Sequence, residues 1–308
     1  MNVLVVGSLN VDYIAAVDRL PRPGQTLSAT GLVQRFGGKG ANQAMAAARQ
    51  GGRVSMVGCV GADDAGCAYR RRLEAEGIDA SGVTNTSKAL TGTALIAVDR
   101  TAENMIVVAA GANGYLSPAH VRAQRGRLAS AGVMLLQFEV PIAAVIEAVR
   151  LANRARVPVV LNPSPLKEGF PWGKCVLDTL IVNAGEAATI FGLPAGQLPG
   201  TLSRWQRALQ RRGVGHLIIT RGAKPTLWIS ADGFRAVPTL SVKPVDTVGA
   251  GDAFAGAFAA CLAEGLDTLT AIRYANCVGA LATLKAGAQE AIPKQAAARQ
   301  ALRCLPTG

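Results

Sequence analysis

Two glycine-rich segments hold most of the residues that could do chemistry in this chain. In the first, Asp246-Thr247-Val248-Gly249-Ala250-Gly251-Asp252-Ala253-Phe254, a glycine turn leads into an apolar, helix-like stretch. The first backbone N–H groups of such a helix are free and point the same way as the positive end of its dipole, so negative charge developing on a phosphoryl group is held there. A tight turn in which Asp252 only caps the helix fits the same spacing. The second segment, Gly37-Gly38-Lys39-Gly40-Ala41-Asn42-Gln43-Ala44, has three glycines in four residues, which lets a substrate approach the backbone closely. Lys39 offers donors to hydroxyl groups, and Asn42 offers both donors and an acceptor. A P-loop is excluded, because no Ser or Thr follows Gly-Lys and Val33 stands where the first glycine would be.

Elements of a definite kind must position these segments. Short apolar runs at 3–6, 54–57, 133–136, 157–161, 179–182 and 217–220 read as buried strands. Helical patterns at 42–50, 65–76, 118–129, 142–154 and 202–212 fall between them, and Ala-rich helices follow at 252–264, 269–284 and 294–303. Strand and helix alternate, which predicts a three-layer α/β fold: a mostly parallel sheet with helices on both faces. Two segments, 13–36 and 92–108, break the rhythm and look like hairpins. They are expected to form a small β lid inserted in a single domain spanning 1–308.

Half of the 308 residues are apolar but only 5% are aromatic, so the core is expected to be built from Val, Leu, Ile and Ala at close backbone spacing. Six scattered cysteines and two distant histidines imply neither a disulfide framework nor a zinc site. The start of the chain lacks the features of a signal peptide, and no uncharged apolar run is long enough to cross a bilayer; the expectation is a cytoplasmic protein with no membrane partner. The net charge of +12 is spread along the chain without interleaved aromatics, so no nucleic-acid partner is expected.

Both glycine segments resemble the two signatures of the PfkB family of carbohydrate kinases, and GGKGANQA has the form typical of its ribokinase branch. The resemblance runs through almost the whole chain in order: Gly7-Ser8-Leu9-Asn10-Val11-Asp12, Pro21-Arg22-Pro23-Gly24, Gln137-Phe138-Glu139, Asn162-Pro163-Ser164-Pro165, Asn183-Ala184-Gly185-Glu186 and Lys285-Ala286-Gly287-Ala288-Gln289. It implies a ribokinase-like fold and ATP-dependent phosphorylation of a small sugar, D-ribose to ribose 5-phosphate in the first place. It further implies that Asn10, Asp12, Gly38, Lys39, Asn42 and Glu139 hold the sugar, with Asp252 as the general base. The amides of Val248, Gly249, Ala250 and Gly251 would then stabilise the transferred phosphoryl group. Asn183, Glu186, Thr220, Arg221, Gly222 and Asn276 would serve ATP, with Glu186 holding Mg2+ through water. Asp246 and the carbonyls of Val248, Ala282 and Gly287 would surround a monovalent cation, potassium being expected. A homodimer joined through the lid follows from the same resemblance.

The chain departs from the family pattern at three places. Pro225 stands where glycine is usual and is expected to stiffen the nucleotide loop; Gln25 replaces a glutamate in the lid; Ala291 removes a hydroxyl near the cation loop. Deoxyribose, another sugar or a nucleoside remain alternative acceptors. A dinucleotide-binding oxidoreductase is disfavoured, because no G-x-G-x-x-G follows Gly7.

Overall fold

The computed structural model describes residues 2–101, 103–198 and 200–305. Its strands are β1 (Asn2–Val6), β2 (Asn10–Ala16), β3 (Gly31–Gly37), β4 (Arg53–Gly61), β5 (Asp79–Thr86), β6 (Gly92–Val98), β7 (Asn104–Ala109), β8 (Ala131–Gln137), β9 (Val159–Asn162), β10 (Leu177–Asn183), β11 (Val214–Arg221), β12 (Lys224–Ser230) and β13 (Gly233–Val237). Nine of them form one sheet in the order β13-β12-β11-β10-β9-β8-β1-β4-β5. All its pairings are parallel except those of β12 and β13, which close one edge as an antiparallel extension of β11.

Alternation along each strand sorts side chains to the two faces. Val3, Val5, Val133 and Leu135 point to one side, where they pack with α1 (Lys39–Arg49), α2 (Asp64–Ala75), α8 (Ala250–Glu264), α9 (Thr268–Ala282) and α10 (Gln295–Arg303). Leu4, Val6, Met134 and Leu136 point to the other, against α3 (Pro118–Ala123), α4 (Arg125–Ala129), α5 (Ile142–Ala155), α6 (Ala184–Phe191) and α7 (Leu202–Arg212). The three-layer α/β architecture read from the sequence is the one observed. Strands at 79–86, 224–230 and 233–237 were not legible as apolar runs: they lie at or near the sheet edges, and none has four apolar residues in a row. The helix expected over 118–129 is two short helices that meet at Gln124.

A second sheet has the order β3-β2-β6-β7. The two expected hairpins are present as β2/β3 and β6/β7, and β2 and β6 join them in parallel. The first hairpin starts three residues earlier than the sequence suggested, so Asn10 and Asp12 lie within a strand, not in a turn after β1. Its partner strand β3 ends at Gly37, which delivers the chain directly into the glycine turn and α1.

Candidate active site

The GGKG segment carries the chain from Gly37, the last residue of β3, into the first turn of α1. Gly38, at φ 88°, is the N-cap, a backbone conformation that glycine adopts without strain. Helix α1 therefore begins three residues before the expected position, at Lys39. A side chain at Gly40 would collide with the Ser8 amide and Gly7, so glycine here lets α1 sit directly on the end of β1. Glu139, just past β8, pins the turn: its Oε2 accepts from the Lys39 amide at 2.9 Å and from the Ser8 hydroxyl at 2.5 Å. One oxygen of this predicted sugar ligand thus orders the loop, leaving Oε1 for a hydroxyl.

Asp252 is buried in the first turn of α8, whose N-cap is Gly249 at φ 75°. The capping alternative is not what the structure shows. The two carboxylate oxygens accept instead from α1, Oδ2 from Asn42 Nδ2 at 3.1 Å and Oδ1 from Gln43 Nε2 at 3.0 Å. Gln43 was not singled out from the sequence, although it stands inside the same motif. Its Nε2 also donates to Asn162 Oδ1 at 3.1 Å, and its Oε1 accepts from Gln137 Nε2 at 2.6 Å. Asn42 is drawn into the same network, since its Oδ1 accepts from Gln289 Nε2 at 3.2 Å. Much of its capacity therefore positions Asp252, and one N–H remains for a sugar.

The amides before α8 are not all equivalent. Val248 N–H donates to Asp246 Oδ1 at 2.9 Å, and Ala250 N–H to the Thr247 carbonyl at 3.3 Å. Among the described residues, the N–H groups of Gly249, Gly251 and Asp252 have no such partner. Of the expected set, the amides of Val248 and Ala250 are thus engaged and those of Gly249 and Gly251 are free, at the end of the fifteen-residue α8 whose dipole favours an anion.

On the lid side, buried Asn10 accepts at Oδ1 from Asn113 Nδ2 at 2.8 Å. Asn113, also missed in the sequence, fastens β2 by accepting from the Leu9 amide at 2.9 Å and donating to the Leu9 carbonyl at 3.1 Å. Asp12 lies against Gly37, where any side chain would collide with its carboxylate. Burial, reinforced by Glu139 and Glu290, raises the Asp12 pKa to about 7. Lys39 is shifted the same way for the opposite reason: Asp252, then Glu139 and Glu186, hold its ammonium charged against the cost of burial.

A cleft of about 210 Å³ is lined by Lys39, Asn162, Asn183, Glu186, Thr220 and Asp252, among others, and reaches Gly249 and Gly251. The Lys39 side chain, expected at the sugar, lies in this cleft beside the carboxylates. Asn183 and Glu186 form a capping box at the start of α6: Asn183 Oδ1 accepts from the Glu186 amide at 2.8 Å, and Glu186 Oε2 accepts from the Asn183 amide at 2.9 Å. That bond pair fixes both rotamers and leaves Asn183 Nδ2 and Glu186 Oε1 for a ligand.

An adjoining cavity of about 300 Å³ shares Thr220, Thr247 and Gly251 with the cleft and has a more apolar lining that includes Gly222, Leu240, Val242, Pro244, Phe254 and Asn276. Asn276 lies on α9. It is buried, its Oδ1 accepting from Thr226 Oγ1 at 2.7 Å and its Nδ2 donating to the Pro238 carbonyl at 2.9 Å, so it holds the cavity wall together. Arg221 is not brought to either cavity. Its Nε and Nη2 donate to the Pro225 carbonyl at 2.8 and 2.6 Å, which turns it back on its own hairpin. Pro225 itself sits where the β11/β12 register shifts, a place that tolerates a missing N–H.

Asp246 ties two loops together, Oδ1 accepting from Val248 and Oδ2 from the Gly287 amide at 2.9 Å. Ala282 is buried at the end of α9, and Gly287, at φ 100°, lies in the following turn.

A model of the pfkB family of carbohydrate kinases matches residues 1–295. The chain is 34% identical over 289 residues to a ribokinase of Haemophilus influenzae, covering 94% of each. It is 33% identical over 294 residues to a deoxyribokinase of Salmonella typhi, covering 95% of this chain and 96% of that one. Its backbone superposes on that of an Arabidopsis thaliana ribokinase complexed with ribose and ATP with a TM-score of 0.90, at 27% identity and 98% coverage of both chains.

Proposed function

This chain belongs to the pfkB family of carbohydrate kinases, and we propose that it transfers the γ-phosphoryl group of ATP to D-ribose, giving ribose 5-phosphate and ADP. The observation that carries this reading is the placement of Asp252. Its carboxylate is clamped by Asn42 and Gln43 on one side, and on the other it borders the cleft that holds Lys39, the capping box of α6 and the free amides of Gly249 and Gly251.

In this reading the sugar lies between the lid sheet and the GGKG turn, bonded by Asn10, Asp12, the Gly38 backbone, the remaining Asn42 N–H and Glu139 Oε1. A polyol needs many directional partners, and this wall supplies them. ATP places its base in the more apolar cavity beside Asn276 and Gly222 and its phosphates in the cleft beside Asn183, Lys39 and Thr220. The sugar's primary hydroxyl oxygen attacks the γ-phosphorus while its proton passes to Asp252. The bond to the bridging oxygen breaks, and ADP leaves with that electron pair. Charge on the transferred group is held by the amides of Gly249, Gly251 and Asp252 and by Lys39, in a step governed by positioning and electrostatics.

The donor set suits Mg2+, since Glu186 keeps one carboxylate oxygen turned to the cleft; bound there through water, the ion would neutralise phosphate charge. The Asp246 carboxylate and the carbonyls of Val248, Ala282 and Gly287 are all oxygen donors, as a hard monovalent cation such as K+ requires. Asp246 holds the two loops that bear Val248 and Gly287 within the span of one carboxylate. The six cysteines are all free thiols, which supports a reducing, cytoplasmic compartment. Among the described residues no helix is long and apolar enough to cross a membrane.

The near-equal similarity to a deoxyribokinase keeps 2-deoxyribose as the second acceptor to test. The test is ADP release across a panel of pentoses, hexoses and nucleosides, run with Asp252→Asn in parallel. The amide keeps the shape of the side chain but takes no proton, so a loss of roughly two to four decades in kcat is expected with ATP binding retained. Near-normal turnover of the variant would overturn the assignment of the base.

A further inference from the structure

Helix α6 begins in the catalytic cleft at its capping box and ends, after Phe191, at a different cavity of about 360 Å³. Phe191, Leu193 and Ala208 are buried beneath it, while Arg204, Arg207, Arg211 and Arg212 of α7 line it. Arg204, Arg207 and Arg211 follow the i, i+3, i+7 spacing that puts side chains on one helix face. Arg212 has a structural role: its Nη2 donates to the Ile190 carbonyl at 2.6 Å, and its guanidinium lies 4.9 Å from the centre of the Phe191 ring. The other three are exposed, and among the described residues their side chains form no hydrogen bond and no ion pair.

This concentration of charge is unfavourable without a partner. Like charges three and four residues apart on a helix repel. The dipole of α7 offsets the repulsion for Arg211 and Arg212 in the last turn, but Arg204 stands in the first turn, where a cation is disfavoured. Guanidinium groups present forked donors that match phosphate oxygens in pairs, so several of them around one cavity suit an anion with several such oxygens. We propose that this cavity binds a small, multiply charged phosphate anion at a site separate from the catalytic cleft. The competing reading is a basic helix face that is merely solvated.

Isothermal titration of inorganic pyrophosphate into the full chain separates the two. Three proteins are compared: the wild type, the triple variant R204A/R207A/R211A, and a control triple R71A/R125A/R154A, which loses the same charge from exposed arginines elsewhere. Because every substituted side chain is exposed, the variants are expected to melt with the wild type, and a melting curve verifies this. The proposal expects a binding equivalent in the wild type and the control whose Kd rises at least about tenfold in R204A/R207A/R211A, the scale of a lost charge-assisted hydrogen bond. Pyrophosphate in the catalytic cleft would register equally in all three proteins. Isotherms that are the same in all three, an equal weakening in both triples, or no binding to the wild type would overturn it.

Discussion

Replacing Asp12 by asparagine should make the protein more stable and a poorer sugar binder, with a pH dependence that identifies the cause. The Asp12 pKa rises from the ordinary 3.8 to about 7 because the carboxyl is buried near Glu139 and Glu290. The sign follows from proton counting. Between pH 3.8 and about 7 the folded protein keeps a proton that the unfolded chain has lost, so stability falls as pH rises through this interval. Above pH 8 the accumulated penalty is at most roughly 4 kcal/mol, the worth of that interval, and at pH 5 it is below about 2 kcal/mol. The amide introduced by Asp12→Asn carries no charge and escapes the penalty. Urea unfolding of the ligand-free proteins at about pH 5 and about pH 8.5 should therefore show the variant gaining about 2–3 kcal/mol more over wild type at the higher pH. Sugar binding should move the other way, because ionised Asp12 is the better hydroxyl acceptor: the wild-type KM for ribose should fall as pH rises through about 7, and the variant's should be higher and flat. A stability difference that does not change with pH would refute the account of Asp12 as a partly buried carboxyl held near Glu139 and Glu290.

Three further outcomes follow from the site. Gln43→Ala removes one of two bonds orienting Asp252 and should lower kcat by about tenfold while leaving both KM values within a factor of a few, checked by steady-state kinetics with each substrate varied. Exchanging K+ for a bulky organic cation at fixed ionic strength should lower activity by loosening the loops joined at Asp246. Ala291 supplies no hydroxyl to the ion, so the effect should be modest; unchanged kcat and KM would rule the cation site out. The small sheet exposes Leu32, Leu95, Ile106 and Val107, each more than half accessible, so light scattering should report a homodimer and Ile106→Lys should shift it toward monomer.

Much of this protein was legible in the sequence because the relevant physics is local. Val3–Val6 and its counterparts are short apolar runs, and the patterns between them have helical period, so parallel layering follows without any knowledge of contacts. The glycine turn into a helix at Gly249 read correctly, and the structure adds that Gly249 and Gly38 both take positive φ, which only glycine adopts freely. Asn183 and Glu186 drew attention only through the family resemblance; the capping box they form, although confined to four residues, came from the structure.

What only the tertiary structure decided involves residues far apart in the chain. Asn42 and Asp252 are separated by 210 positions, Asn10 and Asn113 by 103, and Gln289 and Asn42 by 247. No periodicity encodes such pairs, so Gln43, Asn113 and Gln289 carried no individual signal. The direction of a long side chain is likewise set by its neighbours, which is why Arg221 turns to Pro225 and Lys39 lines the cleft with Asn183, Glu186 and Asp252. Asn276 was expected to serve ATP, and only the packing of α9 shows that it is buried and bonded to Thr226. Burial also decides the charge on Asp12: its residue type sets an acidic pKa, and only its placement on β2, partly buried near Glu139 and Glu290, moves it toward neutrality.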